Sequence, residues 1–143
     1  MRYLLDTNII SNIMKRQPSP ALTAWMSERT DQHLFIASLT VAEIHRGILE
    51  KPAGKRRDQL DAWFVGPEGP QSLLAGRVLP FDEKAGLVWA RLMAEGKSKG
   101  RPRSVLDTII AAVAEVNECA VVTDNEKDFV GIKIVNPLHE GTK

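Results

Sequence analysis

The sequence predicts an α/β domain: a parallel β-sheet covered by helices on both faces. Three observations lead there. Short apolar runs alternate with longer stretches of helical periodicity, the pattern of strands joined by helical crossovers. The length of 143 residues and the hydrophobic fraction of 43% fit one domain with a sizeable core. The first apolar run, Tyr3-Leu4-Leu5, closes on Asp6, and open α/β sheets place their ligands at the carboxyl ends of their strands.

Tyr3 to Leu5 reads as a central strand. Asn8 to Lys15 reads as a helix, stopped by Pro18 and Pro20. Ala21 to Arg29 is a second helix, with Leu22, Trp25 and Met26 on one face. Leu34 to Ala37 is a strand, and Thr40 to Glu50 a helix whose apolar side carries Val41, Ile44 and Ile48. Arg56 to Val65 is another helix, broken by Pro67, Gly69 and Pro70 into a loop. A short strand, Val78 to Pro80, precedes an amphipathic helix from Glu83 to Glu95. Gly96 to Arg103 is a basic loop. Val105 to Val116 is apolar almost all round and should be a buried helix. Ala120 to Val122 and Ile132 to Val135 are the last strands, and Asn136-Pro137 ends the fold. The domain is expected to span residues 1–139, with residues 140–143 a mobile tail.

A formal net charge of +1 neither demands nor excludes nucleic acid, because a basic patch can face an acidic pocket. The single cysteine, Cys119, cannot form an internal disulfide and lies in an apolar run, as a small core residue in a reducing cytoplasm would. No apolar run reaches the ~20 residues of a membrane span. Asp6 and Asn8 interrupt the N-terminal apolar stretch, against a signal peptide.

Four acids stand out: Asp6, Glu43, Asp107 and one in the segment Thr123 to Asp128. Each has an ordinary explanation. Thr40-Val41-Ala42-Glu43 matches a capping box. Asp107, three residues after Ser104, could favour the positive end of a helix dipole. Thr123 and Asp124 could cap a short helix before Phe129, and Asp6 could cap the helix beginning near Asn8. These readings leave the possible convergence of the acids unexplained. Asp107 opposes them most, because it opens the apolar stretch Thr108 to Val113 with no lysine or arginine in the following turn. A partly buried charge there needs a partner or a metal. Several carboxylates without cysteine–histidine ligand spacing suit Mg²⁺ or Mn²⁺ rather than zinc. Arg46, one turn after Glu43, reads as its i,i+3 ion-pair partner or as a phosphate contact. His45 reads as an exposed or capping residue, and the three tryptophans as core or interface. The basic loops 51–57 and 97–103 read as solvated surface, although the second leads directly into Asp107.

In order and spacing, Leu4-Leu5-Asp6-Thr7-Asn8-Ile9-Ile10-Ser11, Ser38-Leu39-Thr40-Val41-Ala42-Glu43-Ile44, Leu106-Asp107-Thr108-Ile109-Ile110-Ala111-Ala112, Val122-Thr123-Asp124-Asn125-Glu126-Lys127-Asp128-Phe129 and Asn136-Pro137 form one set. This set resembles the PIN-domain toxins of the VapC type, including the FitB-like branch, which Leu79-Pro80-Phe81-Asp82-Glu83 also resembles. The resemblance spans almost the whole chain. It implies a single PIN-like domain and a Mg²⁺-dependent endoribonuclease, with Mn²⁺ able to substitute, acting as the toxin of a type II toxin–antitoxin pair. The metal-binding acids carry over as Asp6, Glu43 and Asp107. Asp128 becomes the fourth catalytic acid, with Asn125, Thr7 and Thr123 auxiliary, and Asp124 ranks below them. Arg46, Arg101 and Arg103 become candidate RNA-phosphate contacts. The implied partners are RNA, an antitoxin with a DNA-binding region, and a second copy in a homodimer, in the cytoplasm. Two rival readings are a noncatalytic PIN-like module that binds RNA or a partner, and a metal-dependent DNA nuclease. No Gly-x-x-x-x-Gly-Lys-Ser/Thr loop occurs, against a P-loop NTPase.

Overall fold

The structure, a computed structural model, describes residues 1–15 and 17–138; the end of the expected domain at 139 and the expected tail lie outside them. Five strands, β1 (Arg2–Leu5), β2 (Leu34–Ala37), β3 (Val78–Leu79), β4 (Cys119–Val122) and β5 (Ile134–Val135), form one sheet in the order β3-β2-β1-β4-β5. All four pairings are parallel. The chain moves outward from β1 to β2 and β3, then returns to the other side of β1 with β4. That reversal puts the switch point of the sheet between β1 and β4, where the carboxyl ends of neighbouring strands leave a crevice. The backbone N–H of Asp6 donates to the Val122 carbonyl at 3.0 Å and carries this pairing one residue past β1.

Alternation along the strands divides the core in two. Leu4, Phe35, Ala37, Cys119 and Val121 face one side, against α6 (Glu83–Ser98) and α7 (Val105–Val116). Leu5, Leu34, Ile36 and Val122 face the other, against α1 (Thr7–Ile13), α2 (Pro20–Ser27), α3 (Ser38–Leu49) and α4 (Lys55–Val65). Both faces are apolar because both are covered, as expected of a parallel sheet. Cys119 is buried, and no helix among the described residues is long and apolar enough to cross a membrane.

Helix starts explain most departures from the sequence reading. Asp6 caps α1 and Ser19 caps α2, with Pro20 as its first residue, where its missing N–H costs nothing. α3 begins at Ser38 after Ala37, which offers no side-chain cap, so the expected capping box from Thr40 to Glu43 does not form. Thr40 is instead fully buried inside the first turn. α6 runs on to Ser98, which shortens the basic loop to residues 99–104. Pro70–Leu73 forms a short helix, α5, where a loop was expected. Thr123 and Asp124 do not cap the 3-10 turn Glu126–Phe129, whose N-terminal neighbour is Asn125.

Candidate active site

The crevice between β1 and β4 gathers the acids. Asp6 ends β1 with only 4% of its surface exposed. Its Oδ1 accepts from the Ile9 backbone N–H at 2.9 Å, so the cap reading holds. Burial pushes its pKa up to about 6, against which the Thr123 hydroxyl and the Ile9 amide pull down, while the charges of Asp124 and Asp107 add to the rise. Thr123 ends β4, is fully buried, and accepts from the Asn125 backbone N–H at 3.0 Å. One hydroxyl thus ties the loop after β4 to the acid after β1.

Asp107 lies in the first turn of α7, whose cap is Ser104. Burial raises its pKa first, then the neighbouring charge of Asp128; the Ser104 hydroxyl lowers it, and Glu43 raises it further. The Asp128 carboxyl stands within hydrogen-bonding reach of Asp107. Two carboxyls that close need a shared proton or a cation between them. Asp128 is itself held by Asn125, whose Nδ2 donates to Oδ2 at 2.5 Å.

Glu43 sits in the second turn of α3 and accepts from the Thr7 hydroxyl at 2.6 Å. Thr7 opens α1, and its hydroxyl also lies 3.4 Å from that of Thr40. A contact between residues 36 apart in sequence therefore replaces the local cap expected for Glu43. The four predicted acids are linked electrostatically: Asp107 feels the charges of Asp128 and Glu43, and Asp6 feels that of Asp107. Among the described residues, no three His, Cys, Asp or Glu side chains close to the spacing of a ligated metal ion. The donor chemistry nevertheless fits a hard divalent cation: the acids contribute only oxygen, and their mutual repulsion is what a cation relieves.

The other predicted groups divide. Arg46 does not pair with Glu43. It reaches Glu50 at 3.8 Å, an exposed i,i+4 pair worth little. Arg103 is a structural clamp, its Nε donating to the Leu92 carbonyl at 3.2 Å and Nη1 to the Val130 carbonyl at 3.0 Å. Arg101 is exposed beside the site. His45 stacks on Phe64 with ring centres 4.7 Å apart. Asp124, ranked low from sequence, is the first-ranking charge acting on Asp6; its place next to the strand-end Thr123 was the signal. Ser104 was read only through its spacing to Asp107, and its side-chain contact with that carboxyl was missed. An apolar hollow of about 260 Å³ bordered by Ile10, Met26, Trp63 and Leu74 touches none of the four acids.

Residues 3–134 match the family model described as the PIN domain. The VapC ribonuclease Y4jK of Sinorhizobium fredii is 39% identical over 136 residues, 94% of this chain and 96% of that protein. The chain belongs to the PIN-domain family, with the VapC-type toxins. Toxin FitB of Neisseria gonorrhoeae is 31% identical over 139 residues, covering 96% of this chain and 99% of that protein. Among solved structures, FitAB bound to an IR36 DNA fragment superposes with a TM-score of 0.87 at 30% identity, covering 96% of each chain. The family match spans β1 to the first residue of β5, so this PIN domain includes all four acids.

Proposed function

We propose that this PIN-domain chain is a metal-dependent endoribonuclease and the toxin of a type II toxin–antitoxin pair. The observation that carries the chemistry is the approach of Asp107 to Asp128 beside the buried Asp6, an arrangement of like charges that invites a cation. The biological role rests on relatives named VapC ribonuclease and toxin FitB, and on the likeness to FitAB bound to DNA. From these we take an antitoxin with a DNA-binding region as partner, a homodimer as assembly and the cytoplasm as location.

Asp6, Glu43 and Asp107 would hold the ion, drawn in by side-chain rotation. Mg²⁺ or Mn²⁺, once bound, supplies a Lewis acid that offsets charge growing on the phosphate and makes hydroxide available near neutral pH. The protein's own groups do the positioning. Thr7 fixes one oxygen of Glu43, and the other would be free to take part in the chemistry. Asn125 fixes Asp128, which together with Glu43 can orient an attacking water and accept its proton. Thr123 and the Ile9 amide hold Asp6 at the base of the site while leaving its pKa raised, so a nearby cation would offset the cost of its buried charge.

Purified chain incubated with bacterial RNA should cleave it with Mg²⁺ or Mn²⁺ and stop on chelation, and Asp107→Asn should lose cleavage while melting as a folded protein. Cleavage that persists in chelator, or near wild-type cleavage by Asp107→Asn, would overturn the assignment. RNA binding without cutting under all conditions would instead identify a noncatalytic module, and equal cutting of DNA a general nuclease.

A further inference from the structure

The near-neutral net charge conceals a segregation. Two of the four acids, Glu43 and Asp128, each line a cleft that also holds cations. One cleft, of about 340 Å³, has Thr7 and Glu43 in its wall together with Lys15, Lys51 and Arg56. The other, of about 350 Å³, has Ser104 and Asp128 in its wall together with Lys99, Arg101 and Lys127. The two clefts share no residue; one reaches the acids at Glu43 and the other at Asp128, and the charges of both act on Asp107. Among the described residues, none of these six cations takes part in an ion pair. Of the arginines elsewhere, Arg29, Arg46 and Arg91 have carboxylate partners, and Arg2, Arg57 and Arg77 donate to backbone carbonyls. Arg103 lines the second cleft too, but its donors are spent on carbonyls, so it builds the wall.

We infer that the two clefts are phosphate subsites that grip a single RNA strand on either side of the scissile phosphate, which lies over Asp107. This rests on the nuclease reading and adds the path of the substrate. The physical reason is charge. A polyanion laid over bare carboxylates is repelled, so it must be held by cations placed beside them. Unpaired lysines and arginines in concave, low-dielectric walls focus such a field. The first cleft also has the half-buried Met14 in its wall, an apolar side chain on which a flanking base can rest. The loops expected to be solvated surface, 51–57 and 97–103, thus each supply two of the six cations.

The test is RNA binding by the full chain in chelator, where nothing is cut, as a function of salt. Each phosphate contact to single-stranded nucleic acid contributes about 0.7 to the slope of log K against log salt. Lys51→Ala with Arg56→Ala, and Arg101→Ala with Lys127→Ala, should each flatten the slope by about 1.4, two contacts at about 0.7 each. Lys84→Ala, which lines neither cleft, should leave it unchanged. Shortening the RNA from one end should abolish the response to one pair of substitutions, and shortening it from the other end the response to the second pair. Unchanged slopes, or a response of both pairs to the same end, would overturn the two-sided path. So would substitutions that leave RNA binding intact and weaken only the antitoxin complex, since the clefts would then belong to a protein partner. Wild-type chain that neither binds nor cuts RNA would fail the nuclease reading itself.

Discussion

Replacing Asp6 by asparagine should stabilise the metal-free protein at neutral pH while destroying its catalytic site. Asparagine keeps the oxygen that accepts from the Ile9 amide and caps a helix about as well as aspartate, so α1 loses little. What it removes is the cost of a buried charge. The folded-state pKa of about 6, against an ordinary 3.8, is a rise of about two units, or ~3 kcal/mol at 1.36 kcal/mol per unit. The sign follows from linkage. Below the unfolded value the carboxyl is neutral in both states and costs nothing. As pH rises from about 4 to about 6 the unfolded chain ionises first, and the native state loses up to ~3 kcal/mol; above that the penalty is constant. Asp107, also raised, adds in the same direction. Other carboxylates produce ordinary acid denaturation in the opposite sense, so the informative quantity is the difference between variant and wild type at each pH. That difference should be near zero at pH 4 and grow to a Tm gain on the order of 10 °C by pH 7. Mg²⁺ at ~100 times its dissociation constant should raise wild-type stability by ~2.7 kcal/mol and the variant's by much less. Thermal melts in chelator and in Mg²⁺ from pH 4 to 8 measure all of this. A variant that melts at or below wild type across the range, with the same response to Mg²⁺, would refute the reasoning.

Thr7→Val keeps shape and removes the hydroxyl that holds Glu43. Cleavage should slow about tenfold, the worth of one hydrogen bond to a charged group, with Tm nearly unchanged; steady-state kinetics beside a thermal melt checks both. Arg103→Ala should destabilise the fold by about 1–2 kcal/mol, because the Leu92 and Val130 carbonyls lose their donor, while leaving the salt slope of RNA binding intact. A slope that falls by about 0.7, the share of one contact, would return Arg103 to the phosphate contacts. Expression of the wild-type chain alone should arrest bacterial growth, and a product of the neighbouring gene should relieve it; growth counts with Asp107→Asn as control decide this.

Much of this protein was legible in the linear chain because hydrophobic periodicity and residue chemistry are local properties. Leu4-Leu5, Leu34 to Ala37 and Ala120 to Val122 announce strands buried on both faces, and α7 was read at its observed limits from its unbroken apolar stretch. Asp6, Glu43 and Asp107 could be singled out because acids beside buried elements are out of place, while Asp128 is distinguished within its segment only by the family resemblance. What the sequence could not settle were choices between local alternatives of similar energy. Glu43 could cap its own helix or face a partner, and the outcome turned on α3 starting two residues earlier than expected, with Thr7 brought in from α1. Arg46 could reach Glu43 or Glu50 with equal ease, and Arg103 could meet solvent phosphate or two buried carbonyls. Asp6 could be a cap or a site acid; it is a cap, buried and under the charge of Asp107. The sequence by itself determined the sheet and its two apolar faces, since burial of apolar side chains leaves a strand few other places to go. Only the tertiary structure decided which hydroxyl steadies which carboxylate, and that residues of two distant basic loops line clefts that also hold Glu43 and Asp128. Those facts depend on distances between residues far apart in sequence, which packing sets and no local pattern encodes.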